Sequence, residues 1–241
     1  MKIVAIIQAR MGSTRLPGKV MVKLAGEPML VRVMNRVNRA KTLDEVVVAT
    51  TSKCDDDVIV DLCKARRWSF FRGSELDVLD RYYHTAKEYN ADVIVRITSD
   101  CPMIDPILID RIVNEYINCQ PDINYVGIGL KQTFPRGLSA EVFGFGALDR
   151  AWKEDNEMRF REHVTQYIIR HPELFSRRNV SNSEDLSYMR WTVDTIEDLT
   201  FVRKIFTHFG HDEFSWIDVI EVLKINPDWV KINAHIEQKS V

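Results

Sequence analysis

The sequence predicts a three-layer α/β/α fold, a mostly parallel sheet with helices on both faces. Short runs rich in Ile and Val recur at residues 2–8, 45–51 and 92–98, the pattern of strands buried on both sides. Segments of helical spacing alternate with these runs, and the connections are short, which suits successive crossovers between parallel neighbours. No repeat, low-complexity tract or Gly/Ser linker divides the 241 residues, a length that one α/β domain accommodates.

Along the chain, residues 2–8 make the first strand, and a loop with two glycines and a proline follows over 9–18. Pro28 opens a helix to about residue 41, with Met29, Val33 and Val37 on one face. A strand at 45–51, a helix at 55–67, a brief strand at 68–71 and a helix at 77–90 come next. Val78, Tyr82, Thr85 and Ala86 form the inward face of that last helix. The strand at 92–98 ends in Ser99-Asp100-Cys101-Pro102, and another helix follows Pro106, N-capped by Asp105. Beyond residue 120 the pattern is less regular. Strands are expected at 123–128, 140–145 and 189–193, and helices at 158–170 and 196–209.

The hydrophobic share of 45% and charged share of 28% are ordinary for a globular protein. A net charge of −2 argues against a dedicated nucleic-acid binder, which carries a basic surplus to neutralise phosphates. A small anion needs only a local cluster, and the first 40 residues offer Lys2, Arg10, Arg15, Lys19, Lys23, Arg32, Arg36 and Arg39 against Glu27 alone. The helical arginines after Arg32 read as a solvated basic face. Cys54, Cys63, Cys101 and Cys119 form no C-x-x-C pair, which suits reduced thiols in a cytosolic protein. No apolar run approaches the roughly 20 residues that span a bilayer. The N-terminal stretch lacks a small-residue cleavage site and reads as the first strand of a cytoplasmic protein.

Parallel sheets gather ligands at the carboxyl ends of their strands. Three chemically equipped segments fall there: 8–19, 98–102 and 193–198. The first, Gln8-Ala-Arg-Met-Gly-Ser-Thr-Arg-Leu-Pro-Gly-Lys19, combines flexible backbone with two hydroxyls, two guanidiniums and an ammonium. A triphosphate needs this mixture, because exposed N–H groups form an anion-binding concavity. Arginine then grips phosphate oxygens in pairs, while lysine acts as a point charge. It is not a Walker loop, since five residues separate Gly12 from Gly18 and Val20 stands where Ser or Thr would hold magnesium. An ordinary turn with surface charges is the plain alternative; the buried strand directly before the loop favours phosphate binding.

The run IIQARMGSTRLPGKV, followed by AGEPML, resembles the start of the cytidylyltransferase family that makes CMP-activated sugar acids. That family includes CMP-Kdo synthetase and acylneuraminate cytidylyltransferase, and the branch resembling the spore-coat polysaccharide biosynthesis protein SpsF is nearer still. The resemblance implies a Rossmann-like domain of the nucleotide-diphospho-sugar transferase (GT-A-like) type. It implies transfer of CMP from CTP to an acidic sugar, with magnesium and release of pyrophosphate. Arg10, Ser13, Thr14, Arg15 and Lys19 would hold the triphosphate, with Arg15 and Lys19 steadying the departing pyrophosphate. Residues 5–9, Ala9 among them, and Gly12 would approach base and ribose through backbone. Residues 1–120 would form the nucleotide half, and 121–241 the acceptor half and a contact for a homodimer.

Asp100 and Pro102 match the family's D-x-P motif, whose aspartate binds metal; read alone, Asp100 better suits a helix or turn cap. Asp194, in WTVDTIEDL, resembles the family's V-D-T-P-E-D-L with Ile196 in place of proline. That makes it a second carboxylate near metal or sugar, although it also suits a cap for the helix that follows. Asp198 reads as structural. The segment GSELDVLDR resembles a branch motif lying over the nucleotide, so Arg81 would contact base or phosphates, and Asp77 suits an N-cap. PRGLSAE and REHVT are branch features expected in the acceptor pocket. Arg136 would pair with an acceptor carboxylate, Glu141 would accept sugar hydroxyls, and His163 suits either task. Three rivals share these residues: a glycosyltransferase using a nucleotide sugar, a phosphonate cytidylyltransferase, and a non-catalytic nucleotide-binding partner. Asp55-Asp56-Asp57 contains a D-x-D but starts a helix, where acidic residues suit the dipole.

Overall fold

The computed structural model describes residues 1–238. Its strands are β1 (Ile3–Gln8), β2 (Lys23–Leu24), β3 (Glu27–Pro28), β4 (Glu45–Thr51), β5 (Ser69–Gly73), β6 (Val93–Thr98), β7 (Tyr125–Gly127), β8 (Glu141–Gly144) and β9 (Arg177–Asn179). Its helices are α1 (Met29–Val37), α2 (Asp57–Arg66), α3 (Val78–Glu88), α4 (Pro106–Asn118), α5 (Phe145–Glu154), α6 (Met158–Arg161), α7 (Gln166–Arg170), α8 (Ile196–Phe209) and α9 (Trp216–Ile225). The main sheet runs β5-β4-β1-β6-β8-β7-β9, and β8 alone runs against the rest. β2 and β3 form a small separate ribbon.

Two apolar clusters sandwich the sheet. Ala5, Ile7, Val46, Val48, Val95 and Ile97 face one cluster, which α1, α4, α8 and α9 cover. Val4, Ile6, Val47, Ala49 and Ile94 face the other, under α3 and α5. Alternate residues thus enter opposite cores, which is why these strands are apolar at every position. Each fully buried Val or Ile contributes about 1.5–3 kcal/mol by leaving water. As expected, Val78, Tyr82, Thr85 and Ala86 are all buried on α3. Asp77 caps that helix through the Asp80 amide, and Asp105 caps α4 through the amides of Ile107 and Leu108.

The second half departs from expectation in two places. The helix expected over 158–170 is broken into α6 and α7, because Val164 adopts φ 58° and ends the first piece. A β-branched residue in that left-handed region costs about 1–2 kcal/mol. The cost is met in part by burial of Val164 itself. The strand expected over 189–193 does not form; only a single bridge joins Arg136 to Arg190. The chain instead hugs the 136 segment, with Trp191 N–H donating to Arg136 O at 2.7 Å. Gly137 makes this possible: at φ 103°, an added Cβ would lie 2.5 Å from Thr192 N. Elsewhere elements are shorter than expected, α1 ending at Val37 and α2 being preceded by a 3-10 turn at Cys54–Asp56. α5, α9 and β9 lay outside the sequence expectations.

The helical arginines are also not a solvated face. Arg36 is fully buried, donating to Ile104 O and Asp212 O at 2.6 Å each, and Arg39 pairs with the Asp212 carboxylate. Arg32 is buried on the same carboxylate at 3.0 Å. The charges at the α1 end therefore lock α1 to the turn before α9. No helix among the described residues is long and apolar enough to cross a membrane.

Burial works against the Asp212 charge, yet hydrogen bonds from Asn35, Arg39 and Arg32 outweigh it and hold the carboxyl at about 2, against an ordinary 3.8. Between those values the unfolded chain binds a proton that the folded chain refuses, so stability falls as pH drops through the window. Asp212→Asn is expected to cost about 3 kcal/mol at pH 7 by leaving buried guanidiniums uncompensated. It should also flatten the loss of stability below pH 4. Urea unfolding at pH 7 and at pH 3 measures both effects.

Candidate functional site

A cavity of about 770 Å³ opens at the carboxyl ends of β1 and β6. Gln8 and Thr98, the last residues of those strands, are register partners, so the loops behind them start side by side. The β1 loop is held by a residue that its own sequence does not contain. Asp56, buried before α2, accepts the Met11 amide at 2.7 Å and the Thr51 hydroxyl. Within the loop, Ser13 N–H and Gly18 N–H both donate to Met11 O, and Gly18 turns the chain at φ 69°. The amides of Arg10, Gly12, Thr14 and Arg15 have no acceptor among the described residues. Unfilled amides beside basic side chains are what an anion-binding loop requires.

The same turn delivers Lys19 into the cleft floor. Its ammonium donates to Asp100 Oδ2 at 2.8 Å, Asp194 Oδ1 at 2.9 Å and Val193 O at 2.8 Å. Burial penalises this charge most, but the two carboxylates outweigh it and hold Lys19 above the ordinary lysine value. Burial likewise disfavours ionised Asp100, yet Lys19 and hydrogen bonds from Thr98 and Cys101 keep it below the ordinary aspartate value. Asp194 reaches this point because Val193 N–H donates to Asp100 O at 2.8 Å, docking one loop on the other. Arg15 and Arg190 also hold Asp194, at 3.0 and 2.7 Å. Asp194 is not the cap of α8: Thr195 and Asp198 form that capping box, and Asp198 also grips Arg190. The reading of Asp198 as structural fits this.

Of the other residues singled out from sequence, Ala9, Arg10, Ser13, Thr14, Arg81, Arg136, Glu141 and His163 line the cavity, whereas Gly12 does not. Arg10 reaches across to Glu162 at 3.2 Å. Arg81 is 1% exposed, donates to Ser74 O, has an unpartnered Nε and pairs with no carboxylate among the described residues. Glu141 spends its oxygens within the protein, on Arg96, on Tyr125 Oη at 2.8 Å and on Thr165 Oγ1 at 2.7 Å. Arg136 is half-buried, with no ion pair among the described residues. The break between α6 and α7 brings His163 to the cleft wall beside Arg96.

Asp56, which the sequence offers only as part of an acidic helix start, holds the β1 loop instead, and Arg96 and Arg190 carried no expected role. Arg96 left a usable sign, a lone charge in the apolar strand VIVRIT. Arg190 left none, because its meaning lies in partners set by the fold.

Asp100 and Asp194 fit a magnesium ion, which takes one or two protein carboxylates and completes its shell with phosphate oxygens and water. Both meet a single cation in this structure, so both address one point. Among the described residues no group of three or more His, Cys, Asp or Glu is placed to hold a metal ion by itself. That suits a metal shared with a nucleotide better than one caged by protein.

A sheet of this order, with its ligand cleft at the strand ends, is the architecture of a nucleotidyltransferase. The sequence profile of the cytidylyltransferase family matches residues 4–229. The Methanocaldococcus jannaschii protein MJ1063, itself uncharacterised, is 43% identical over 100% of this chain and 98% of its own. The spore coat polysaccharide biosynthesis protein SpsF of Bacillus subtilis is 34% identical over 94% of this chain and 95% of its own. A cytidylyltransferase structure from Leptospira borgpetersenii superposes with a TM-score of 0.93 at 36% identity, covering 100% of both chains. The chain belongs to the cytidylyltransferase family and is a CTP-dependent nucleotidyltransferase.

Burial, with the neighbouring Arg96 charge behind it, lowers the His163 imidazole below the ordinary 6.5. The ring is therefore expected to be neutral at pH 7. NMR titration should find its midpoint below 6.5, and Arg96→Gln should raise that midpoint. A midpoint at or above 6.5 in the unaltered protein would contradict this electrostatic picture.

Proposed function

We propose that this enzyme transfers CMP from CTP to a hydroxyl of a sugar acid, releasing pyrophosphate, in the making of a surface-polysaccharide precursor. The observation that carries the reading is the meeting of Lys19 with Asp100 and Asp194 on the cleft floor, beneath a loop of unfilled amides. Arg10, Ser13, Thr14 and Arg15 surround the triphosphate, and the backbone at Ala9 lies toward base and ribose, with Gly12 outside the cavity. Arg81 adds a buried positive charge to which phosphate supplies the missing counter-charge. Asp100 and Asp194 would hold magnesium, which when bound neutralises charge on the phosphates.

The acceptor hydroxyl oxygen attacks the α-phosphorus, the bond to the bridging β-phosphate oxygen breaks, and pyrophosphate leaves with that electron pair. Such transfers depend mainly on alignment and charge neutralisation. Arg15 and Lys19 stabilise the departing charge. Asp194 already accepts from Lys19, Arg15 and Arg190, whereas a neutral His163 on the acceptor side is able to take the hydroxyl proton. Arg136, with no ion pair among the described residues, pairs with the acceptor carboxylate. Glu141 acts through Arg96 rather than on the sugar directly.

Pyrophosphate release from CTP and Mg²⁺ across 3-deoxy-2-keto sugar acids, other sugar acids and phosphonates tests the reaction and the acceptor together. Release that requires one sugar acid is expected. Release with phosphonates alone, or silence across the panel while CTP binds, would reject the sugar-acid acceptor. Asp100→Asn is expected to lower turnover by about 10³-fold or more while leaving the circular dichroism spectrum unchanged; normal turnover would remove Asp100 from the mechanism.

A further inference from the structure

We infer that Lys19 acts as a placeholder cation, closing the two-carboxylate site to a divalent metal until a triphosphate draws the ammonium away. This rests on reading the cleft as a magnesium–nucleotide site. An ammonium has three N–H donors, and all three are used here, on Asp100, Asp194 and Val193 O. Lys19 is thus coordinated as a small cation would be, with its side chain only 11% exposed.

The charge balance points the same way. Asp100, Asp194 and Asp198 face Lys19, Arg15 and Arg190 in one connected network. Three carboxylates against three cations leave it formally neutral. A divalent ion entering alone would bring uncompensated positive charge into a half-buried site, where repulsion from Lys19 and the arginines is poorly screened. A triphosphate reverses this. It offers Lys19 and Arg15 stronger partners than the aspartates and brings the negative charge that lets the metal follow. Metal and nucleotide then bind interdependently, and by linkage each strengthens the other. Beyond gripping phosphate, Lys19 would keep free metal out of the nucleotide-free enzyme.

The test uses Mn²⁺ as the probe, its binding to nucleotide-free protein read by electron paramagnetic resonance. The unaltered protein is expected to bind Mn²⁺ weakly. Lys19→Met and Lys19→Gln should bind it at least tenfold more tightly, with the gain lost when Asp100→Asn is added. Equal Mn²⁺ affinity in the unaltered protein and both variants would overturn the inference. So would a gain that survives Asp100→Asn, because the ion would then sit elsewhere. A second measurement needs no variant. In thermal melts of the unaltered protein, Mn²⁺ alone should leave Tm unchanged, whereas Mn²⁺ with CTP should raise it more than CTP alone. A rise with Mn²⁺ alone as large as that with both would also overturn the inference. If CTP failed to bind at all, the melts would show no nucleotide effect; that result would reject the nucleotide site, while the Mn²⁺ comparison would still judge Lys19.

Discussion

One ammonium joins three distant parts of this chain. Lys19 comes from the loop after β1, Asp100 from the loop after β6, and Asp194 from the irregular segment before α8. Each group is disfavoured in its place by burial and held there by the others. Removing any one leaves charge without compensation in a poorly hydrated site, so the three loops are positioned as a unit. The parallel sheet makes the meeting possible, because β1 and β6 are neighbours whose ends emerge at the same edge.

Around that centre, the rest of the cleft is arranged by residues that touch no expected ligand. Asp56 holds the β1 loop by taking the Met11 amide, and later amides in the loop have no acceptor among the described residues. Arg190 spans Asp194 and Asp198, linking the cleft floor to the cap of α8. Glu141, Tyr125 and Thr165 form a buried hydrogen-bonded set behind Arg96. Such sets are expensive when incomplete and restrictive when complete, which suits groups whose task is to fix other side chains. Beside α1, Asp212 plays a comparable part for Arg32, Arg36 and Arg39, purely for the fold.

Much of the nucleotide half was legible in the sequence, since its signals are local. The apolar strands, the caps at Asp77 and Asp105, and the mixed basic, hydroxyl and glycine loop each follow from neighbouring residues. The acceptor half was less legible, because its geometry depends on exceptions. Val164 in a left-handed conformation splits one helix, and Gly137 allows a backbone approach that replaces an expected strand. Hydrophobic periodicity carries neither feature.

By itself, the sequence determined the alternation of strands and helices, the mostly parallel character of the sheet and the chemistry of the loop from Gln8 to Lys19. Local propensity and the two-sided burial of apolar strands suffice for these. The tertiary structure decided which charges are partners. Glu141 looked free in sequence and is engaged, while Arg36 looked solvated and is fully buried. Asp194, expected as a second carboxylate with a helix cap as the alternative, lies on Lys19 and caps nothing. The reason is physical. An ion pair is chosen by proximity and desolvation in three dimensions, across separations of 81 and 175 residues at Lys19, and no local pattern encodes such distances.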